Sequence, residues 1–94
     1  MIEGLDPVIH VPKRLAAMAM LANAPVVSFR FLREQLSISE SDLSKQMSTL
    51  EAAGYVTSNK DGYGRGASTT YSATKAGLAA YRKHCAALRT LIGE

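Results

Sequence analysis

The sequence predicts an α+β fold that is mainly α, with a three-helix core, a small β-hairpin and a long carboxy-terminal helix. Three observations lead to this prediction. Apolar residues recur at helical spacing up to residue 54, an alternation of period two follows over residues 55–73, and helical spacing returns over residues 75–92. Since 94 residues are typical of one domain, we expect residues 1–94 to form a single unit.

The first helix is predicted to begin at Pro12, because the first turn of a helix leaves N–H groups unpaired and proline has none. Alanine, methionine and leucine occupy nearly every side of the helix up to Ala22, so we expect other elements to surround it. Asn23 is expected to close the helix in the left-handed conformation, and Pro25 prevents its continuation.

The second helix is predicted to start near Ser28, a favourable N-cap residue. Its buried face is expected to carry Phe29, Leu32 and Leu36. A short connection, residues 37–39, leads directly to the third helix. Two short helices joined in this way are typical of a helix-turn-helix motif, here over residues 28–53.

The third helix is predicted to begin with a reciprocal cap. The hydroxyl of Ser39 is expected to accept a backbone N–H, and the carboxylate of Asp42 is expected to return to the cap. Gly54 then ends the helix. One apolar stripe is expected to face the core: Leu43, Met47 and Leu50.

The period then changes from helical to two, which predicts a hairpin. Residues 55–60 and 67–73 are the predicted strands, and the glycine-rich residues 61–66 are the loop between them. Thr74 is expected to cap a last helix over residues 75–92, which would be roughly 27 Å long at 1.5 Å per residue.

Composition limits the class of protein. A hydrophobic share of 47% and a charged share of 20% are typical of soluble domains. The first residues do not resemble a secretory signal, and the longest apolar run, residues 15–22, is too short to span a bilayer. A lone cysteine, Cys85, fits a reducing compartment, so we expect a cytoplasmic protein. The net charge of +3 permits a polyanionic partner without indicating one.

Catalysis and metal binding find little support in the sequence. His10 and His84 lie far apart in the chain, are predicted on different helices, and have no nucleophile motif nearby. One cysteine and two histidines give no metal-ligand spacing, so we expect no enzyme activity, metal or cofactor. Cys85 is interpreted as a buried, inert thiol, with a redox sensor as the alternative.

Several stretches of the chain resemble a known family. LSKQMSTLEAAGYV at residues 43–56 is similar to the recognition helix of winged-helix regulators of the MarR and ArsR type. GRGASTTYSATKAG at residues 64–77 resembles their wing and the start of their final helix. LDPVIH and PKRL at residues 5–10 and 12–15 are similar to short, stand-alone transcriptional regulators with this fold.

The resemblance covers essentially the whole chain. It implies a winged helix-turn-helix fold, with the wing over about residues 55–73, and a regulator that binds double-stranded DNA. The third helix would then enter the major groove. The absence of a metal-ligand pattern separates the sequence from metal-sensing ArsR regulators.

The polar side of the third helix is the expected DNA contact surface. Small hydroxyl residues allow close approach to bases and phosphates, Lys45 can bind guanine or a phosphate, and Gln46 can pair with adenine. The alternative is that this side is simply solvated. The predicted contact residues on and beside this helix are Ser39, Ser41, Ser44, Lys45, Gln46, Ser48 and Thr49.

The wing is expected to add contacts from Lys60, Arg65 and Ser68. Arg65 lies between two glycines and is the residue best placed to enter a minor groove. Relatives of this type often carry several basic residues after the wing glycine, whereas Gly66, Ala67 and Ser68 stand here. We therefore expect modest affinity for each half-site.

The last helix carries an apolar stripe at spacings of three and four, which predicts a dimer interface. Burial of the stripe within the same chain is the alternative. A homodimer would bind two half-sites of a palindromic operator. The functional alternative is a protein-interaction module that binds no DNA, and no small-molecule effector can be identified. The stripe consists of Leu78, Tyr81, Cys85, Leu88 and Ile92.

Overall fold

The structure, a computed structural model, describes residues 3–61 and 68–94. These residues form four helices and one three-stranded antiparallel sheet, so the predicted fold class is confirmed. The elements in chain order are α1 (Pro12–Ala22), β1 (Val27–Ser28), α2 (Phe29–Leu36), α3 (Glu40–Ala52), β2 (Val56–Asp61), β3 (Ser68–Ala73) and α4 (Lys75–Ile92).

The predicted hairpin is part of a larger sheet. β2 and β3 pair in register from Val56 opposite Ala73 to Asp61 opposite Ser68. On its other side β3 pairs with β1, where Val27 lies opposite Tyr71, so the strand order is β1-β3-β2. β1 was not predicted because two residues are too few to show an alternation of period two.

The core lies between the three amino-terminal helices and the sheet. α1 packs against α2, α3, α4 and β3, which confirms that other elements surround it. The predicted stripe of α3 is buried, with its three members at most 1% exposed. Burial of these side chains supplies the main stabilisation of the fold. The core consists of Ile9, Ala17, Met18, Leu21, Val27, Leu32, Leu43, Met47, Leu50, Val56 and Tyr71.

All three predicted N-caps are present. The hydroxyl of Ser28 accepts the N–H of Phe31, that of Ser39 accepts the N–H of Asp42, and that of Thr74 accepts the N–H of Gly77. The donor–acceptor distances are 3.0, 3.1 and 2.9 Å. Each cap satisfies an N–H that has no partner within its helix, which fixes where the helix starts.

Two predicted helix-end contacts are wrong. The Asp42 carboxylate does not return to the cap of α3, because Lys13 of α1 and Gln46 lie within reach and donate to it instead. Asn23 ends α1 at φ −107°, outside the left-handed region, and its side-chain amide donates to the Ala19 carbonyl at 2.8 Å. Among the non-glycine residues that the structure describes, the left-handed one is Ser37, at φ 53° in the turn between α2 and α3.

The first turn of α4 lies directly against the end of α3. The Thr74 N–H donates to the Tyr55 carbonyl at 3.0 Å, and the Thr74 hydroxyl donates to the Gly54 carbonyl at 2.6 Å. A Cβ atom at Gly77 would stand 2.0 Å from the same Tyr55 carbonyl oxygen. Only glycine therefore permits this approach, which fixes α4 to the junction between α3 and β2.

Residues 3–11, which we call the amino-terminal segment, fold back onto α4. Ile9 is fully buried in the core. His10 lies just before α1, and its Nδ1 is 3.3 Å from Nε2 of His84 on α4. The prediction that both histidines lie on helices is therefore wrong for His10. The two residues are far apart in the chain, and the packing of the segment on α4 brings their rings together.

Candidate nucleic-acid interface

The outer side of α3 is a polar surface that faces away from the core. Ser41, Ser44, Lys45 and Ser48 are all exposed along it. Their exposure follows from the burial of the apolar stripe on the opposite side of α3, because residues three and four apart share one side of a helix. Short hydroxyl side chains on an exposed helix leave the backbone open to close approach by a partner.

A cleft of about 500 Å³ separates α3 from the sheet and from the start of α2. It brings four predicted contact residues together: two serines of α3, and Lys60 and Ser68 at the hairpin. Arg30 of α2 and Ser58 of β2 line it as well. The cleft thus has one cation on the α2 side and one on the sheet side, hydroxyl groups on α3 and on the sheet, and a carboxylate from Glu51. The basic and serine residues of α2, α3 and the hairpin that line this cleft are Arg30, Ser44, Ser48, Ser58, Lys60 and Ser68.

A second groove runs between α2 and α3. Its walls carry the remaining predicted serines of this surface, Ser39 and Ser41, together with Ser44, which also lines the first cleft. Arg33 of α2 lies in the same groove. The two depressions therefore share Ser44, and each has one arginine of α2 in its lining, Arg30 in the first and Arg33 in the second.

Arg30 and Arg33 were missed in the sequence. The Arg30 side chain is 88% exposed and lies 3.4 Å from Glu34, and that of Arg33 is 48% exposed and lies 3.7 Å from Glu40. Such exposed pairs contribute little stability and exchange partners readily. The signal available was their position in the first helix of the helix-turn-helix, directly after the Ser28 cap.

Gln46 and Thr49 point elsewhere. The Gln46 side chain accepts from Arg14 of α1 at 2.7 Å and donates to Asp42 at 2.9 Å, so both ends of its amide are engaged. The Thr49 hydroxyl donates to the Lys45 carbonyl of its own helix at 3.1 Å. These two hydrogen bonds hold the Gln46 side chain toward Arg14 and Asp42.

Two acidic groups lie next to this surface. Hydrogen bonds from Gln46 and then from Lys13 hold the pKa of Asp42 below its ordinary value, so this carboxylate stays ionised. Glu51 lines the main cleft and accepts from the Ser58 hydroxyl at 2.9 Å. Both carboxylates limit where a polyanion can approach. Arg65, predicted for the wing tip, lies outside the described residues.

The predicted stripe on α4 is divided between the core and the surface. Tyr81 packs against the core, whereas Ile92 is 64% exposed. Leu78, Cys85 and Leu88 are half-buried between these extremes. Burial of the Tyr81 hydroxyl, together with its contact with Cys85, raises the pKa of Tyr81. The stripe therefore exposes an apolar end rather than a continuous apolar face.

Two further properties follow from the described part of the chain. None of its helices combines the length and apolar character needed to cross a bilayer. Within the same residues, no three histidine, cysteine, aspartate or glutamate side chains come together as a metal site.

Solved structures with this fold are known. The chain superposes on a transcriptional regulator homologue from Pyrococcus horikoshii OT3 with a TM-score of 0.84 at 21% identity, covering 92% of this chain and 85% of the other. For a putative transcriptional regulator, ytfH, from Salmonella typhimurium, the TM-score is 0.77 at 21% identity, with coverages of 92% and 75%. The zinc-responsive MarR family member ZitR from Lactococcus lactis gives 0.70 at 18% identity, with coverages of 97% and 62%.

At these identities the likeness shows a shared fold. A search of the curated proteins finds no match. The sequence model described as a winged helix DNA-binding domain matches residues 13–92, from α1 to the end of α4. The resemblance to winged-helix regulators is thereby confirmed, and the chain belongs to the winged helix DNA-binding domain family.

Proposed function

We propose that this protein regulates transcription by binding a specific double-stranded DNA sequence, with α3 in the major groove and the β2–β3 hairpin on the flanking backbone or minor groove. One observation carries the proposal. The exposed side of α3 and the hairpin line a single cleft, and cations stand at its edges. With α3 in the major groove, the cleft between α3 and the hairpin would hold one phosphate strand, and the cations on its walls suit that strand.

The residues divide by role. Ser44 and Ser48 lie on the exposed side of α3 and are assigned to base edges, because small hydroxyl groups permit the closest approach. Lys45, Lys60 and Arg30 are assigned to phosphates, to which exposed cations bind without sequence preference. Arg65 keeps its assignment to the minor groove.

The protein is proposed to act as a dimeric cytoplasmic repressor, in which the apolar end of α4 contacts a second copy. The exposed fractions of 64% for Ile92 and 36% for Leu91 support this assignment, because apolar side chains at the end of a helix gain stability by burial. Two copies would combine two weak half-sites by avidity. Ile92→Glu is expected to give a folded monomer in analytical ultracentrifugation, with at least tenfold weaker binding to a two-site duplex.

The direct test is fluorescence anisotropy with duplex DNA from upstream of the protein's own gene and with a shuffled duplex, at about 50 and 150 mM salt. Lys45→Ala, Arg30→Ala and Arg65→Ala should each weaken binding by about three- to tenfold and reduce the salt slope by about one. The matched control is Lys83→Ala, which removes the same charge on α4 beside the amino-terminal segment.

The outcomes separate the candidate functions. A preference for the upstream duplex at both salt concentrations supports specific binding, and equal binding that disappears with salt indicates counterion release alone. Absence of binding by a folded sample would favour a protein-interaction module instead. Equal effects of Lys45→Ala and Lys83→Ala would contradict the assigned surface.

A further inference from the structure

The amino-terminal segment is joined to α4 through one buried histidine. His84 is fully buried, and both of its ring nitrogens are engaged. Its Nδ1 accepts the backbone N–H of Asp6 at 2.9 Å, and its Nε2 lies 3.3 Å from Nδ1 of His10. Both contacts reach residues of the segment, so His84 is the point at which the segment meets the long helix.

These contacts require both rings to be neutral. Since Nδ1 of His84 accepts a hydrogen bond, the ring proton must be on Nε2. That N–H donates to Nδ1 of His10, which must therefore carry no proton. A proton added to Nδ1 of His84 would face the Asp6 N–H, and one added to Nδ1 of His10 would face the N–H of His84. Either addition replaces a hydrogen bond by two opposed donors.

The neighbouring groups stabilise a charged His84 less than burial and His10 disfavour it. The Asp6 carboxylate is nearby, but it already accepts from the Tyr55 hydroxyl at 2.5 Å and from the amides of Val8 and Ile9 at 2.8 and 3.2 Å. Burial and the proximity of His10 lower the pKa of His84, and the opposing effect of Asp6 is smaller.

The charged and titratable groups near the histidine pair come from the amino-terminal segment, α1, the α3–β2 junction and α4. From α1, the Arg14 guanidinium is engaged with the Val8 carbonyl and with Gln46 rather than with either ring. Lys83 of α4 is exposed, so water screens its charge. The titratable or charged groups at the pair or at the segment are Asp6 and His10 of the segment, Arg14 of α1, Tyr55 of the α3–β2 junction and Lys83 of α4. Tyr81 and Cys85 are the nearest titratable groups on the α4 sequence around His84, apart from Lys83.

We propose that the Asp6–His84–His10 contact is an acid-sensitive latch, which docks the amino-terminal segment on α4 while both histidines are neutral and releases it when either gains a proton. Because Asp6 also accepts a hydrogen bond from Tyr55, release of the segment from α4 also frees Asp6 to leave the α3–β2 junction. The latch concerns the protein alone and does not depend on DNA binding.

The stability change has a definite sign. In the unfolded chain a histidine titrates near pH 6.5, whereas the docked state holds His84 neutral to lower pH. The unfolded state thus binds more protons below about pH 6.5, so the stabilisation from the latch is complete above this pH and decreases as the pH falls. The chain has two histidines, both in the latch, which makes the effect assignable.

The test combines the melting temperature with a local probe in the full chain. Between about pH 7.5 and 5.5 we expect the Tm to fall by roughly 5 °C, and the double variant His10→Asn/His84→Gln to lose this dependence. In ¹H–¹⁵N spectra of the wild type, the Asp6 and Ile9 amide signals should move over the same pH range, while that of Leu50 in α3 should stay.

A single variant keeps the test decisive if the double variant does not fold. In His10→Asn the amide oxygen can stand near the position of Nδ1, accept from His84 and take up no proton, so the transition should move to lower pH. A wild-type Tm that is constant over this range, an identical transition in His10→Asn, or an Asp6 amide signal that does not move would each overturn the proposal.

Discussion

The two sides of the molecule treat polar groups in opposite ways. On the α3 side, Ser44, Lys45 and Ser48 are exposed, and within the described residues their side chains have no hydrogen-bond partner. On the amino-terminal side, the carboxylate of Asp6 accepts three hydrogen bonds, and the ring of the buried His84 is engaged at both nitrogens. The protein fixes its polar contacts where they hold the scaffold, and leaves donors free where a partner is expected to bind.

The largest effect should come from the scaffold side. Gly77→Ala places a methyl group 2.0 Å from the Tyr55 carbonyl oxygen, so the backbone of α4 or of the α3–β2 junction must move. We expect the free energy of unfolding to fall by about 3 kcal/mol, measured by urea denaturation.

Gly93→Ala is the matched control, because Gly93 has φ +85° but open space around its Cα. Only the conformational cost of about 1 kcal/mol should remain there. Equal losses in the two variants would show that the close approach at Gly77 is not what fixes α4.

The second effect tests the α3 side. Ser48→Glu puts a carboxylate in the main cleft, where it would face DNA phosphates, and should weaken duplex binding at least tenfold without changing the Tm. Gln35→Glu adds the same charge on α2 outside both clefts and should have little effect on anisotropy titrations. Loss of Tm in Ser48→Glu would mean that the α3 surface supports the fold as well.

The third effect measures one hydrogen bond of the scaffold side. Tyr55→Phe removes the donor to Asp6 and should lower the free energy of unfolding by about 1.5 kcal/mol, as expected for a hydrogen bond to a charged group. Tyr81→Phe is the control, because the Tyr81 hydroxyl contacts the thiol of Cys85, which is a weak acceptor. Loss of this hydroxyl should change the free energy of unfolding by less than about 0.5 kcal/mol.

The dependence of stability on acid pH gives a second measurement of the Tyr55–Asp6 hydrogen bond. Burial opposes ionisation of Asp6, but the hydrogen bonds from Tyr55, Ile9 and Val8 together outweigh burial and lower its pKa. The ionised carboxylate therefore adds its full stability above about pH 4, the ordinary pKa of an aspartate. This stability is lost as the pH falls through the lower pKa that Asp6 has in the folded state. This loss should be smaller in Tyr55→Phe.

The smallest effect is expected at an exposed ion pair. Lys13→Ala removes the partner of Asp42, and the Lys13 side chain is 46% exposed. Water screens such pairs, so the Tm should change by no more than about 2 °C in a thermal melt. A larger loss would mean that Lys13 fixes the position of α3 on α1, and the contrast between the two sides would then be less sharp.

Local patterns were sufficient for most of the fold. Ser28, Ser39 and Thr74 cap their helices as predicted, because a cap depends on residues within one turn. The polar side of α3 followed from its buried stripe for the same reason. β1, by contrast, exists only because β3 lies beside Val27, and two residues carry no pattern of their own.

Three contacts that were missed or mispredicted depend on tertiary packing. The turn of Gln46 toward Arg14, the meeting of His10 with His84, and the place of Arg30 at the cleft each join residues from separate elements. Spacing along the chain does not encode such contacts. Arg65, the residue that the sequence assigned to the wing tip, stays a prediction.

The short strand β1 also has a mechanical consequence. Val27 and Ser28 are hydrogen-bonded to β3, and α2 begins at the next residue, Phe29. The hairpin is thus coupled to the first helix of the helix-turn-helix through one stiff backbone connection. Because no residue separates β1 from α2, we expect a displacement of β3 at the Val27–Tyr71 pair to move α2 with it, so that the hairpin and the helix-turn-helix shift together.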